Sequence, residues 1–152
     1  DMTQAWMHAT ALGTDLPATP GAYLLWLPIA RPLALVVPKP GARLEPGVYL
    51  YLGSAHGPGG VRARVARHLR ADKRPRWHVD QLTVAAGPRA RALAWPDGGE
   101  CAWREAVQAA GASVPVPRFG ASDCRRCPAH LLRLDDAGPD DPRLHPPFTA
   151  GP

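Results

Sequence analysis

Long apolar runs are missing from this chain, and cysteines are few. No stretch of its 152 residues is long and apolar enough to span a membrane, and the N-terminus lacks the charged-then-apolar pattern of a secretory signal. A soluble, cytoplasmic protein with no membrane partner is therefore expected. Three cysteines, an odd number, do not make a disulfide framework and leave either free thiols or metal ligands. Acids are scarce in one region above all. Between Arg62 and Arg76 stand seven cationic side chains, Arg62, Arg64, Arg67, Arg70, Lys73, Arg74 and Arg76, with Asp72 the one acid among them.

With 45% hydrophobic residues the chain can bury one ordinary core, so a single domain is expected. Lys plus Arg outnumber Asp plus Glu by 18 to 13, and the net charge of +5 understates how concentrated the surplus is. Such a run is ordinarily a solvated helix face. Beside a glycine loop it also suits a polyanion, since phosphates gain from clustered charge and from exposed amides at a helix N-terminus.

The stretch Gly47–Leu69 reads as strand, glycine loop and basic helix. Val48, Leu50 and Leu52 alternate with Tyr49 and Tyr51, the period of a half-buried strand, and Gly53 to Gly60 then breaks regular pairing. Val61, Val65 and Leu69 follow at every fourth residue, an apolar helix stripe with arginines on the other faces. Upstream, residues 1–20 form an N-terminal arm without sustained period. The apolar run Ala22–Leu27, bounded by Pro20 and Pro28, predicts a buried strand, with Leu33–Val37 as its hairpin partner. Downstream, Trp77–Leu82 suits a short helix or an extended turn, and Arg89–Trp95 a strand. Asp97-Gly-Gly-Glu100 opens a helix with Trp103, Ala106, Val107 and Ala110 as its apolar stripe and Gly111 as its stop. His130–Leu134 suits an edge strand. The tail, residues 135–152, holds five prolines and four aspartates and is expected to be flexible and outside the core. The fold class is α/β, a small mixed, mainly antiparallel sheet flanked by helices.

Gly21-Ala22-Tyr23 and Tyr51-Leu52-Gly53, each on an expected strand, with Arg64 on one helix and Glu100 on a later one, resemble the GIY-YIG nuclease superfamily. Tyr51-Leu-Gly-Ser-Ala with Gly57-Pro-Gly-Gly, Arg67-His-Leu, Trp77-His-Val-Asp and Phe119-Gly-Ala-Ser-Asp-Cys124 is similar to its little-characterised bacterial and archaeal branch. Relatives in that branch are sometimes fused to an endonuclease III domain. The likeness spans residues 21–134, which the resemblance marks as the nuclease-like domain. The middle residue of the first motif is alanine, and 27 residues separate Tyr23 from Tyr51, more than is usual in the superfamily. The Leu33–Val37 arm accounts for the insertion. Gly47-Val48-Tyr49, too close to Tyr51 to be its partner strand, is a decoy.

The resemblance implies a metal-dependent endonuclease that hydrolyses phosphodiester bonds, in DNA processing or repair, with DNA preferred to RNA and a repair protein as possible partner. Tyr23 and Tyr51 would orient and deprotonate the attacking water. A phenol of pKa about 10 needs a nearby cation for that task, and a hydrogen-bonded aromatic strand residue is the ordinary alternative for both. Arg64 would clamp the phosphate, with Arg62 as the competing register, because a guanidinium holds two oxygens at once. His68, four residues on, shares its helix face and would contact a phosphate or relay a proton, with a surface histidine among arginines as the ordinary alternative. Glu100 would hold Mg²⁺ or Mn²⁺, although Asp97 and Glu100 also have the spacing of a capping box. Arg62, Arg67, Arg70, Lys73, Arg74, Arg76 and His78 are the nucleic-acid-binding candidates. Cys101, Cys124, Cys127 and His130 have the donor types of a zinc site, with reduced, partly buried thiols as the preferred reading. Trp77 and Asp80 suit the rim of the site, and Ser122 and Asp123 a polar surround or a turn. Two other functions remain open: a nucleic-acid-binding module that does not cleave, and a zinc-stabilised interaction domain.

Overall fold

The computed structural model describes residues 16–36, 41–70, 78–120 and 124–147. A four-stranded sheet is built from β1 (Gly21–Ile29), β4 (Gly47–Ala55), β5 (Arg91–Pro96) and β6 (Leu131–Arg133), in the order β5-β1-β4-β6. All its pairings are antiparallel. Helices α1 (Gly60–Leu69) and α2 (Asp80–Ala86) lie on one face and α3 (Glu100–Ala109) on the other. The expected α/β class is present, with a four-stranded sheet that is antiparallel throughout rather than mixed.

β1 is a central strand covered on both faces, which is why its sequence is almost continuously apolar. Tyr23, Leu25, Leu27 and Ile29 enter the core beneath α1 and α2. Ala22 and Leu24 enter a second core with Trp103 and Val107 of α3. β1 runs past Pro28, beyond the predicted end, because β5 pairs only as far as Trp26 and a residue without N–H is tolerated where one neighbour is missing.

Several expectations are corrected. Leu33–Val37 is not the partner of β1: β2 (Leu33–Ala34) pairs with β3 (Arg43–Leu44) in a separate two-stranded arm, and β4 pairs with β1 over its whole length. Gly53 does not end that pairing, since Gly53 to Ala55 continue opposite Tyr23 to Gly21. The alternating strand that the sequence suggests is longer than its apolar period, because the ladder is made by the backbone. Trp77 lies outside the described residues; from the stretch that it begins, Asp80 starts α2.

The end of the N-terminal arm is docked. Leu16 is buried, and the carbonyls of Thr19 and Pro17 accept the amides of Val61 and Arg62 at 2.9 and 3.0 Å. Gly60 and Ala63 donate to Gly57 and Gly59, so the first four amides of α1 all have protein acceptors. The helix N-terminus expected to cradle phosphate is thus occupied by the protein's own backbone. The segment after β6 is also part of the core, contrary to the expected flexible tail. Trp26 and Trp103 donate their indole N–H to the carbonyls of Ala137 and Leu144, both at 2.9 Å, and Leu144 is fully buried. Two long amphipathic side chains thereby hold a proline-rich segment of turns and one 3-10 turn, Pro142–Leu144, that lacks a ladder of its own.

Candidate functional site

The two tyrosines are brought together by register. Tyr23 lies opposite Gly53 and Tyr51 opposite Leu25, so the tyrosines are diagonal neighbours on one face of the sheet. Their ring centroids are 6.4 Å apart. Gly53 is required there, because a Cβ at this position would overlap the Tyr23 ring and hydroxyl. Gly120, at φ 71°, has the same relation to the edge of the Tyr51 ring.

α1 crosses above them. The Tyr23 hydroxyl and His68 Nε2 are 2.7 Å apart, and the imidazole lies 5.3 and 6.1 Å from the two tyrosine rings. His68 is therefore a buried member of the cluster, not the surface histidine that a basic run would suggest. On its other side Asp80 Oδ1 stands 3.9 Å from Nδ1. Asp80 is completely buried and takes two hydrogen bonds from Arg67, at 2.8 and 3.0 Å. The sequence offered no signal for this pairing, which links α1 to the first residue of α2.

Tyr23, Tyr51, Arg64 and Glu100 line one pocket of about 240 Å³, with Ser54 and the wall residues Cys124 and His130. Four predicted site residues thus converge from β1, β4, α1 and α3. Burial drives both phenols up, Tyr23 the further and Tyr51 to about 12, while the charge of Arg64 pulls each back. Arg64 also reaches Tyr23 through a side-chain hydrogen bond. At neutral pH both phenols carry their protons.

Arg62, the competing register, turns away: its Nε donates to the Leu16 carbonyl at 2.6 Å. Arg67 is engaged with Asp80 rather than presented for phosphate. Arg70 is an exposed residue that ends α1. His78 packs its ring edge-on against Phe119, at 5.6 Å between centroids. Lys73, Arg74, Arg76, Ser122 and Asp123 lie outside the described residues. Tyr49, the decoy, donates to the Glu45 carbonyl at 2.6 Å and sits in the core.

Glu100 is the first residue of α3, and its N-cap is Gly99, which makes no side-chain cap. The capping-box alternative is thereby excluded: Glu100 sits two positions too early to reach back as a box glutamate. Cys101 follows on the same turn and faces the Cys-x-x-Cys loop. Its Sγ lies 3.4 Å from that of Cys124 and 2.9 Å from that of Cys127. With His130, these ligand atoms all fall within 4.8 Å of one another. The fourth donor, in doubt from sequence because Cys101 is remote in the chain, is in place.

Two further features mark this cluster as able to hold a metal ion. His130 Nε2 is buried without a hydrogen-bond partner among the described residues, a costly condition that a metal bond would relieve. The thiols also titrate apart. Burial and the two neighbouring sulfurs drive Cys101 up. Burial would raise Cys124 too, but the backbone N–H of Cys127 and the Cys101 thiol outweigh it and bring Cys124 down. Three thiols this close cannot all ionise without a cation. Arg118 completes the frame by donating to the carbonyls of Cys127 and Cys124 at 2.8 and 2.7 Å, a loop clamp that carries no sequence motif.

A family model described as a domain of unknown function, DUF123, matches residues 22–144. The chain belongs to this family. The matched span runs from the second residue of β1 to Leu144, so the family's unit includes both halves of the pocket and the segment that Trp26 and Trp103 hold. No curated protein and no solved structure matches the chain. No helix among the described residues is long and apolar enough to cross a membrane.

Proposed function

We propose that this chain is a divalent-cation-dependent endonuclease of the GIY-YIG type acting on DNA, with a zinc ion in its cysteine–histidine cluster. The observation that carries the reading is convergence. Tyr23, Tyr51, Arg64 and Glu100, separated by up to 77 residues in sequence, line one pocket, and His68 bonds to the Tyr23 hydroxyl.

Arg64 meets the phosphate with a forked guanidinium that can hold two oxygens at once, and the low polarity that raises the tyrosines strengthens that contact. Tyr23 is placed to pass its proton to His68 Nε2 as it takes one from water, which removes the need for a free phenolate at neutral pH. Tyr51 carries its proton and donates to a phosphate or water oxygen. Glu100 is the oxygen donor that would hold Mg²⁺ or Mn²⁺, and one carboxylate completed by water and phosphate suits such an ion. When bound, the ion would neutralise charge developing on the phosphate and the leaving oxygen. Three sulfurs and an imidazole are instead a donor set for zinc, closed by protein on all four positions and thus structural in type.

The test is cleavage of labelled linear, nicked, flapped and branched DNAs with Mg²⁺ or Mn²⁺, comparing wild type with Arg64→Ala and Glu100→Ala. Nicking lost in both variants while binding persists supports the reading. Salt-sensitive binding with no cleavage in either metal would replace it with a binding module.

A further inference from the structure

We infer that the metal held by Cys101, Cys124, Cys127 and His130 positions Glu100, so that occupancy of this site sets the affinity of the neighbouring pocket for its divalent cation. The inference rests on the reading of Glu100 as that cation's ligand. It makes Cys101 a positioning residue that acts through the first turn of α3.

Sequence adjacency is the first support. Glu100 and Cys101 are the first two residues of α3, and no side chain caps that end of the helix. The backbone pins the approach as far as Gly98: Asp97, at φ 59°, and Gly98 donate to the carbonyls of Pro20 and Trp95, both at 2.9 Å. Trp103 and Val107 bury the body of the helix, and at its first turn the sulfur contacts of Cys101 at 2.9 and 3.4 Å add a tie on the residue next to Glu100.

The second support is a shared wall. Cys124 and His130 belong to the metal cluster and also line the pocket with Glu100, Tyr23 and Tyr51. The opposite side of the pocket needs no such device, since β1, β4 and α1 are held by the core. Beyond the cluster, the Cys-x-x-Cys loop meets α3 through Arg126 and Glu105, 2.8 Å apart and both largely exposed, a contact worth little alone. Ligation of Cys101 is thus the strong connection between the loop and the helix end that carries Glu100.

The experiment measures two metals separately. Zinc content of the purified full chain is determined first, and Co²⁺ exchanged into it should give the visible spectrum of a tetrahedral site with sulfur-to-metal charge transfer. Mn²⁺ binding to the zinc-loaded chain is then followed by electron paramagnetic resonance, with Glu100→Gln as the reference for loss of the pocket site. Cys101→Ser is the decisive variant, because three ligands remain to keep the zinc while the helix end is released. It should retain zinc and fold, yet bind Mn²⁺ about 10- to 100-fold more weakly, the range seen when groups supporting a ligand are removed. Cys101→Ser protein that holds zinc and binds Mn²⁺ as wild type does would overturn the inference, as would wild type purified without zinc that binds Mn²⁺ fully. Zinc-loaded wild type that binds no Mn²⁺ at Glu100 would overturn the nuclease reading as well, a result told apart by the wild-type titration alone. Should Cys101→Ser lose its zinc, Cys101→Asp, which keeps a fourth ligand, must restore both zinc and Mn²⁺ affinity, and zinc restored without Mn²⁺ affinity counts against the inference.

Discussion

The two sides of the pocket are held by different forces. On the tyrosine side, Tyr23, Tyr51 and His68 belong to strands and a helix that are fixed by the main core, and Asp80 is satisfied by a two-point contact with Arg67. On the glutamate side, Glu100, Cys101, Cys124 and His130 sit on a helix end and a loop, where three sulfurs crowd together and a histidine nitrogen has no partner among the described residues. Packing pre-organises the first side before any ligand arrives. The second side is polar and like-charged on ionisation, a set of donors that could hold a cation.

The largest effect expected from breaking either side is on cleavage. Arg64→Ala, on the packed side, should lower nicking by about 100- to 1,000-fold, and Glu100→Ala by a similar factor; single-turnover assays at saturating Mg²⁺ check both. Equal loss from each side would show that they act on one reaction. Chelation of the wild type should next lower stability by more than about 4 kcal/mol, a fall in Tm of about 10 °C by differential scanning calorimetry. A Tm unmoved by chelation would mean that the glutamate side is not metal-stabilised.

A pH effect at the alkaline end is expected from the tyrosine side. Tyr51 has its pKa pushed up to about 12, and Tyr23 is raised further. Below the ordinary phenol value of about 10 both folded and unfolded forms hold the proton, and this contribution to stability is fully present. Above it the unfolded chain releases protons that the folded one retains, so stability is lost as pH rises through 10 toward 12, by up to about 1.4 kcal/mol per pH unit for each tyrosine. Urea unfolding from about pH 9 to about pH 12 should show that slope, and Tyr51→Phe should make it shallower.

Smaller effects sharpen the same contrast. Gly53→Ala forces a methyl against the Tyr23 ring and should cost about 1–3 kcal/mol in urea denaturation, with cleavage reduced because Tyr23 must shift. Tyr49→Phe removes only the bond to the Glu45 carbonyl. It should cost about 1 kcal/mol and leave nicking at the wild-type level, which would separate the decoy from the motif tyrosine two residues later.

Legibility in the sequence differed between the two sides. The strands carrying Tyr23 and Tyr51 and the helix carrying Arg64 and His68 are visible as apolar alternation and an every-fourth-residue stripe, because their residues are buried by a regular backbone. The strand order was not visible, and neither was the partner of β1. Leu33 looked like that partner on proximity, but a nine-residue ladder with β4 satisfies far more of the backbone than a two-residue bridge. The basic run misled in part: Arg62 and Arg67 are bound to Leu16 and Asp80, and the helix amides to Pro17 and Thr19.

By itself the sequence determined the long strands and the two ten-residue helices and which residue types were candidates for chemistry, since periodicity and turn chemistry act over a few neighbours. Only the tertiary structure decided the rest. It put Arg64 rather than Arg62 in the pocket wall, buried His68, brought Cys101 to a loop more than 20 residues away and anchored the proline-rich segment of residues 135–147 to the core through Ala137 and Leu144. Those outcomes depend on which surfaces meet across the sheet, and that is settled by burial summed over the whole chain rather than by any local pattern.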